Sequence, residues 1–529
     1  MKAIKTAQCL FLQNLKIYDG TGAPPVSGDI LICDGKIVAV GRVDTSVVPV
    51  EAVKHDCNGL CASPGFIDIH SHSDSGIILH PEAECLIKQG ITTSVGGNCG
   101  GSAGGAPSSA HRHSEKYLAL GVCWEDFQGF LGAVEQVGPA VNLAMLFGHG
   151  DIRVQVLGSS GRQPTPEEKQ KMLAISRTLM QTGAFGISSG LEYVPGRFAD
   201  VDELVNVSRP VAERDGIHTM HMRSEGPELF EAVQEAIEIT EKSGVRFEIS
   251  HLKAVGEDNW GKLPKVLEML DEANARGLDI SADVYPYLAS STELAIVLPD
   301  WVLEEGKAAA VGLLAEGSPV RERIAAESHV RTEKQGGWDK IVVTSVRTPE
   351  DKWMEGLNVE EIALRMGRAP QETALDILVS NEMRVSIIRH SMSEDDLVAA
   401  MKHPRVCFAT DGHVATAAEG SIHPRSIGTY PRVLGRYVRE KGVLTMEEAI
   451  RKLTSLPASK MKICDRGLLK PGLAADVVFF DRDTIADKGT YANPWQFPSG
   501  IFGVLVNGRP VVWEGEATGV RPGKVLRKR

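Results

Sequence analysis

Eight short apolar segments recur through the middle of the chain, and most are separated by amphipathic stretches of helical length, such as PELFEAVQEAIEITEKSG. Strands that alternate with helices in this way are typical of a parallel sheet that the helices cover. Eight repeats predict a (β/α)8 barrel, a TIM-like α/β fold. The candidate strands are GFIDIH, TTSVGGN, VNLAMLFGH, AFGISSG, GIHTMHM, RFEISH, LDISADVY and RVCFATD.

The two ends of the chain have a different pattern, with short alternating segments and Gly or Asp turns, as in GDILICDGKIVAVG and GVLVNGRPVVWEG. This pattern indicates β-strands. We expect residues 1–62 and 465–529 to form one small β-sandwich domain, with the barrel between them at 63–464. Residues 288–392 break the repeat, so we expect an insertion over the barrel mouth, and either ADVY or VSII is the seventh strand.

The composition is that of a soluble globular protein, with 43% hydrophobic and 24% charged residues. A formal net charge of −12 argues against nucleic-acid binding, which requires a basic surface. No run reaches the roughly 20 apolar residues of a membrane span, and no signal-peptide pattern follows the N-terminus. Nine cysteines without disulfide-framework spacing suit a reducing compartment. We therefore expect a cytoplasmic protein with a small-molecule partner, and a homo-oligomer is compatible with this sequence.

Polar residues of metal-ligand or acid–base type close most of the apolar segments, at the end where a barrel has its active site. His70 and His72 stand one residue apart, and alternate residues of a strand point to the same side. Imidazole and thiolate are common zinc ligands. Each residue alone has a structural interpretation, but the joint pattern predicts one shared metal site. The set is His70, His72, Cys99, His149, His221, His251 and Asp411.

Such a set of ligands supports amide hydrolysis. A divalent metal with an open coordination position lowers the pKa of its bound water, and the resulting hydroxide can attack an amide carbonyl. A carboxylate beside the metal takes the proton of that water and later delivers it to the leaving nitrogen. Asp411 suits this role, because it is the acid that follows the last strand. Its structural alternative is the N-cap of a helix at GHVATAAEG.

The motif PGFIDIHSHSD, which opens a barrel between the halves of a small β domain, resembles the amidohydrolase superfamily. The resemblance narrows to the D-aminoacylases, which are zinc-dependent N-acyl-D-amino-acid deacylases, and it covers nearly the whole chain. Its most specific part is Cys99 in GNCG together with HMR and ISHLK. Further matching motifs are SSGLEYVPG, DVYPYLASST, ATDG, HPRSIGTYPRVLGRY, LTSLPA and GIFGVLVNG.

The resemblance implies a role for each residue of this set. The ligands of one tight zinc ion are Cys99, His221 and His251. His70 and His72, with Asp411, frame a second and weaker metal position. Asp411 is the general base and then the acid, whereas His149 has no clear ligand role and is read as structural or as support for the ligands.

The resemblance also implies contacts to the carboxylate or the scissile amide of the substrate. Arginine binds a free carboxylate bidentately. Arg223 follows His221 by two residues and would share its face in an extended strand, and Lys253 stands in the same relation to His251. The implied contact residues are Tyr193, Arg223, Lys253, Ser290 and Arg389. For Arg389, insertions interrupt the match between this chain and the family.

The expected reaction is hydrolysis of an N-acyl-D-amino acid to a carboxylate and a free D-amino acid. Dipeptides with a C-terminal D-residue share this chemistry, and the side chain can be apolar or acidic. Cyclic-amide hydrolases of the hydantoinase and dihydroorotase type share the His-x-His, but they use a carboxylated lysine on the fourth strand. The corresponding segment AFGISSGLEY has no lysine. A deaminase and a scaffold with a decayed site are the remaining alternatives, and the filled ligand positions disfavour the scaffold.

Overall fold

The computed structural model describes residues 7–105, 115–158 and 160–528. Its first sheet contains nine strands, which come from the two ends of the chain where β-strands were predicted. The first strand is buried on both faces, with Leu10 and Leu12 in one core and Phe11 in another. The strands are β1 (Cys9–Ile17), β2 (Val26–Cys33), β3 (Lys36–Gly41), β4 (Val53–Asp56), β5 (Cys61–Pro64), β17 (Val477–Phe480), β18 (Ile501–Val506), β19 (Arg509–Trp513) and β20 (Glu516–Ala517).

The second sheet is the predicted barrel, with eight parallel strands in the order β16-β12-β11-β10-β9-β8-β7-β6. All eight predicted strands lie in it, and the ADVY segment is the seventh. The strands are β6 (Phe66–Asp68), β7 (Ile91–Gly96), β8 (Asn142–Gly148), β9 (Gly186–Gly190), β10 (Ile217–His221), β11 (Arg246–Ile249), β12 (Ile280–Val284) and β16 (Val406–Phe408).

The barrel closes between its first and last strands through the backbone just beyond them. The Asp411 amide donates to the His70 carbonyl over 2.8 Å, and the His72 amide donates to the Gly412 carbonyl over 2.8 Å. Closure therefore places Asp411 directly beside the two histidines, although it follows His72 by 339 positions in the sequence.

Helices surround the barrel and bury their apolar faces against it. The helix at Leu229–Ser243, for example, buries Ala232, Val233, Ala236 and Ile237, which share one face at helical spacing. The helices of the described chain, of which α10 to α13 belong to the insertion described next, are α1 (Ser73–Leu79), α2 (Glu84–Ile87), α3 (Glu115–Ala119), α4 (Phe127–Val137), α5 (His149–Leu157), α6 (Pro166–Gln181), α7 (Val201–Glu213), α8 (Leu229–Ser243), α9 (Leu263–Ala275), α10 (Lys307–Leu314), α11 (Arg321–Glu333), α12 (Val359–Met366), α13 (Pro370–Ser380), α14 (Glu394–Lys402), α15 (Arg425–Arg432), α16 (Met446–Leu453) and α17 (Ser455–Met461), and a π-helical segment follows α15 at Val433–Glu440.

The segment between β12 and β16 contains a small antiparallel sheet, β13 (Ala289–Glu293), β14 (Ile341–Val346) and β15 (Val385–His390), in the order β13-β15-β14. The VSII segment is the start of β15 and not a barrel strand. This sheet has its own hydrophobic core with α10 to α13, which includes Leu294, Leu314, Ile362 and Leu375. The insertion is thus a folded unit that positions β13 and β15 at the barrel mouth.

Cys9 and Cys33 occupy paired positions of β1 and β2 and form a disulfide, which the spacing of the nine cysteines did not predict. The other seven are free thiols, and Cys57 and Cys61 are buried. Within the described ranges, no helix combines the length and the apolar character that a membrane span requires.

Candidate metal centre

Four predicted site residues lie at or just beyond the carboxyl ends of their strands. His221 is the last residue of β10, and Cys99, His251 and Asp411 follow β7, β11 and β16. These last three adopt positive φ angles of 53°, 38° and 47°. Residues with a Cβ rarely occupy this region, and such strain is concentrated at functional sites. The unusual backbone turns bring all four side chains to the same end of the barrel.

The Cys99 sulfur lies at the centre of the histidine cluster. It is 3.4 Å from His70 Nε2, 3.9 Å from His221 Nδ1 and 3.7 Å from His251 Nε2. Ligands around tetrahedral zinc, with Zn–S of about 2.3 Å and Zn–N of about 2.0 Å, place sulfur and nitrogen roughly 3.6 Å apart. The observed separations therefore fit a zinc ion held between these donors.

Two overlapping groups of donor atoms share this sulfur. One group is Cys99, His221 and His251, and the other is His70, His72 and Cys99. Asp411 Oδ1 lies 3.4 Å from His70 Nε2 and 3.1 Å from His72 Nε2. The two donor groups adjoin each other, with the Cys99 sulfur between them and the Asp411 carboxylate on the side of the His-x-His pair.

Three histidine rings are each held in place by a carboxylate, and sequence reasoning missed all three carboxylates, of which two are buried and Glu192 is partly exposed. His70 Nδ1 lies 3.4 Å from Asp283, His221 Nε2 lies 3.0 Å from Glu192, and His251 Nδ1 lies 2.9 Å from Glu225. Each carboxylate can accept a hydrogen bond from the ring N–H that faces away from Cys99, which leaves the other nitrogen free to bind metal. The signal was present in the sequence, because the three acids stand in the motifs DVYPY, GLEY and RSEG.

The charges around the cluster favour its ionised forms. Burial alone would raise the pKa of the Cys99 thiol, but the charge of His70 and hydrogen bonds from His221 and His251 hold it well below its usual range. The thiolate is the form that binds metal.

Asp411 is likewise ionised despite its burial. Burial by itself would raise the pKa of its carboxyl, whereas the charge of Arg425 and then of His70 lowers it well below the usual range. Arg425 Nη1 lies 2.9 Å from Asp411 Oδ2, so Oδ1 is the oxygen that faces the histidines. Asp411 caps no helix, because the next helical turn, Ala417–Glu419, is capped by Thr416. The N-cap interpretation is therefore wrong.

Four of the predicted substrate contacts line one cavity of about 570 Å³ together with Cys99, His221, His251 and Asp411. Ser290 on β13 pairs with Arg389 on β15, so the insertion supplies both. The Ser290 hydroxyl and the Arg389 Nε are buried without a hydrogen-bond partner in the described part of the chain. Buried donors of this kind are ready to bind a ligand anion. The four residues are Tyr193, Lys253, Ser290 and Arg389.

Arg223 does not lie where the sequence placed it. It bonds to Glu235 on α8 over 2.8 Å and to the Ala199 carbonyl over 2.8 Å, and it lines a neighbouring cavity. The strand ends at His221, so strand alternation does not extend to Arg223. His149 lies outside the cluster as well, because it is buried with its Nε2 2.7 Å from Glu203.

Arg425 is a further residue that sequence reasoning missed. It is 3% exposed, its guanidinium lies 4.6 Å from the centre of the Tyr285 ring, and it lines the same cavity. Its motif HPRSIGTYPRVLGRY is among those that carry the family resemblance, but nothing in the sequence connects this arginine with Asp411.

The chain is similar to known proteins in sequence and in fold. A family model described as "Amidohydrolase family" matches residues 55–512. The N-acyl-D-glutamate deacylase of Alcaligenes xylosoxydans xylosoxydans is 34% identical over 516 residues, which cover 97% of this chain and 95% of that protein. The chain belongs to the D-aminoacylase group of the amidohydrolase family.

Solved structures of other D-aminoacylase-type proteins have the same fold. The N-acyl-D-glutamate deacylase of Bordetella bronchiseptica, complexed with zinc and a phosphonate mimic of the tetrahedral intermediate, superposes with a TM-score of 0.83 at 34% identity. A D-aminoacylase studied for its binuclear metal centre superposes with a TM-score of 0.82 at 30% identity. Each match covers 98% of this chain and 99% of the other. Members of this group therefore bind metal, zinc in one and a binuclear metal centre in the other.

Proposed function

We propose that the protein is a zinc-dependent deacylase that hydrolyses the amide bond of an N-acyl-D-amino acid. The observation that carries this proposal is the cluster of Cys99, His221 and His251 at zinc-ligand spacing, with the ionised Asp411 beside it in the cavity that holds Arg389. Selectivity for the D-enantiomer is supported by the relatives, whose names give N-acyl-D-glutamate and N-acyl-D-aspartate as their substrates.

The metal stoichiometry belongs to the same proposal. Cys99, His221 and His251 would hold one zinc ion tightly, because a thiolate and two oriented imidazoles are typical zinc ligands. His70 and His72, together with Cys99 or Asp411, would hold a second ion more weakly. Zinc bound there would polarise the scissile carbonyl and lower the pKa of the attacking water.

The residues of the chain supply binding and proton transfer. Arg389 and Ser290 would bind the substrate carboxylate, since both present buried donors without a full set of partners. Lys253 and Tyr193 line the same cavity next to His251 and His221. Asp411 would accept the proton of the attacking water at Oδ1 and pass it to the departing amine, while Arg425 holds Oδ2.

Two alternatives share parts of this site. A dipeptide with a C-terminal D-residue is itself an N-acyl-D-amino acid and would bind in the same way. A cyclic-amide hydrolase is disfavoured, because β9 and the residues that follow it offer no lysine to bridge two metals. A cytoplasmic location is part of the proposal as well. Seven cysteines, including the ligand Cys99, are free thiols, which suits a reducing compartment, whereas the Cys9–Cys33 disulfide is a feature of oxidising compartments and counts against this location.

The test is kcat/KM of the zinc-loaded protein on paired N-acetyl-D- and N-acetyl-L-amino acids. We expect turnover of D-substrates only, loss of activity on chelation, and recovery on adding zinc. Turnover restricted to L-substrates or to cyclic amides would contradict the proposal.

A further inference from the structure

The cavity at the metal centre contains five lysine or arginine side chains among the described residues, and most are already neutralised. Four of them form ion pairs with carboxylates of the protein. The Arg425 pair is 2.9 Å long and the Arg197 pair 2.8 Å. The pairs are Lys253–Glu225, Arg197–Asp300, Lys307–Glu293 and Arg425–Asp411.

Arg389 differs from these four. Its Nη1 donates to the neutral Gln335 amide oxygen, its Nε has no partner in the described ranges, and the side chain is 5% exposed. A buried guanidinium without a carboxylate partner is costly unless a ligand supplies the anion. The cavity is therefore prepared for one substrate carboxylate, and the α-carboxylate of an N-acyl amino acid supplies it.

The remaining wall of the cavity has an aliphatic part, an acidic part and a part with hydroxyl side chains, among them Ser291, Thr292 and Ser386. Its aliphatic part includes Ala295 and Ile296, which lie shortly after the end of β13 and are 4% and 5% exposed. Glu192 also lines the cavity, forms no ion pair with a lysine or arginine among the described residues, and would repel a second anion, whereas Glu225 and Glu293 are neutralised by Lys253 and Lys307. The aliphatic lining residues are Val154, Val194, Ala295, Ile296 and Leu303.

From this balance of charges we infer that the enzyme takes N-acyl-D-amino acids with neutral, apolar side chains and rejects the acidic ones. The inference rests on the proposed deacylase function and names its substrate class. It sets this chain apart from the relatives named for N-acyl-D-glutamate and N-acyl-D-aspartate, although they are 34% identical to it. Once Arg389 holds the α-carboxylate, a second substrate carboxylate would find no unpaired lysine or arginine among the described residues that line the cavity.

The first experiment compares substrates that differ in charge but hardly in shape. For the zinc-loaded protein, we expect kcat/KM for N-acetyl-D-glutamine to exceed that for N-acetyl-D-glutamate by about 100-fold or more, because the buried charge has no partner. N-acetyl-D-methionine should be a better substrate than either, since the wall is aliphatic. Equal or better turnover of N-acetyl-D-glutamate would overturn the inference and leave the deacylase function intact. Turnover of no N-acyl-D-amino acid would overturn both.

Two variants assign the carboxylate sites. Arg389→Met should reduce kcat/KM for N-acetyl-D-methionine by about 100-fold or more, with zinc content unchanged, because the α-carboxylate loses its partner. A variant that kept full activity on N-acetyl-D-methionine would overturn the inference, since Arg389 would then be available for a second carboxylate. Ile296→Arg should raise the glutamate-to-glutamine ratio of kcat/KM at least tenfold, whereas Ile296→Met, a neutral control of similar size, should keep the wild-type ratio. A ratio that moved equally in both variants would count against the inference.

Discussion

The mouth of the barrel and its interior both bury carboxylates and a cysteine, yet these groups ionise differently. At the mouth, cationic neighbours lower the pKa of Asp411 and of Cys99 despite burial. In the interior, burial raises the pKa of Asp68 to about 7, and burial together with the charge of Asp283 raises that of Glu248 to about 8.

The difference lies in the partners and not in the depth of burial. Glu248 accepts from the Ser281 hydroxyl and contacts the Cys407 sulfur at 3.3 Å, and Asp68 accepts from Thr410. Hydroxyls and thiols do not balance a buried charge, whereas Arg425 provides a full positive charge to Asp411. A buried acid that is also beside a cation is thus the better candidate for catalysis. Three matched pairs of variants and one stability measurement test this comparison.

Asp411→Asn should have the largest effect. We expect kcat to fall about 1,000-fold, because amide in place of carboxylate cannot accept the proton of the attacking water. Zinc content, measured by plasma mass spectrometry, should be unchanged. The matched interior variant, Asp68→Asn, should keep kcat within about tenfold of wild type. Wild-type kcat in Asp411→Asn would refute its assignment as the base.

Cys99→Ala removes the thiolate that both donor groups share and should abolish tight zinc binding. The interior control is Cys407→Ala, because burial raises the pKa of the Cys407 thiol well above its usual range and keeps it a neutral, structural group. Dialysis against a chelator of known zinc affinity distinguishes the two variants. Equal retention of zinc by both would show that Cys99 is not a ligand.

Glu225→Gln should weaken zinc binding about 10- to 100-fold, since the carboxylate beside His251 Nδ1 orients a ligand ring. Glu248→Gln makes the same chemical change three residues before His251 and should leave the zinc Kd unchanged. Competition titration with a chromogenic chelator measures both constants. Weakening of the same size in both variants would argue for a general effect on stability and not for ring orientation.

Glu248→Gln should have the smallest effect, and it should appear in stability alone. The folded-state pKa of Glu248, about 8, lies above its ordinary value of 4.5. The unfolded chain therefore releases this proton first, and stability is lost as pH rises from about 4.5 to 8.

The glutamine variant lacks this loss. The free energy of unfolding of the variant minus that of the wild type should therefore be larger at pH 8.5 than at pH 5 by about 2–4 kcal/mol. Urea unfolding of both proteins at the two pH values gives the difference of differences, in which other titrating groups cancel. A pH-independent difference would mean that Glu248 is ionised in the folded protein throughout this range.

The sequence by itself determined the architecture and the chemical types at the site. Eight apolar segments with helical connections specify a barrel, because strand and helix periods are local properties that neighbouring residues encode. Because parallel strands end at the same edge of a barrel, the sequence alone groups the residues at the strand ends, among them Cys99, His221, His251 and Asp411. That both termini contribute β-strands to one small domain was predicted for the same local reason.

Only the tertiary structure decided which side chains meet. Some contacts join residues that are distant in sequence, and others join residues that lie beyond the end of a strand. They are the Asp411–Arg425 ion pair, the contacts of three histidine rings with carboxylates, and the pairing of Ser290 with Arg389 in the insertion. Arg223 shows the limit of local reasoning, since the strand ends at His221 and the arginine turns to Glu235 on α8. Periodicity predicts the face of a residue only while the strand continues, and charge partners depend on closure of the barrel.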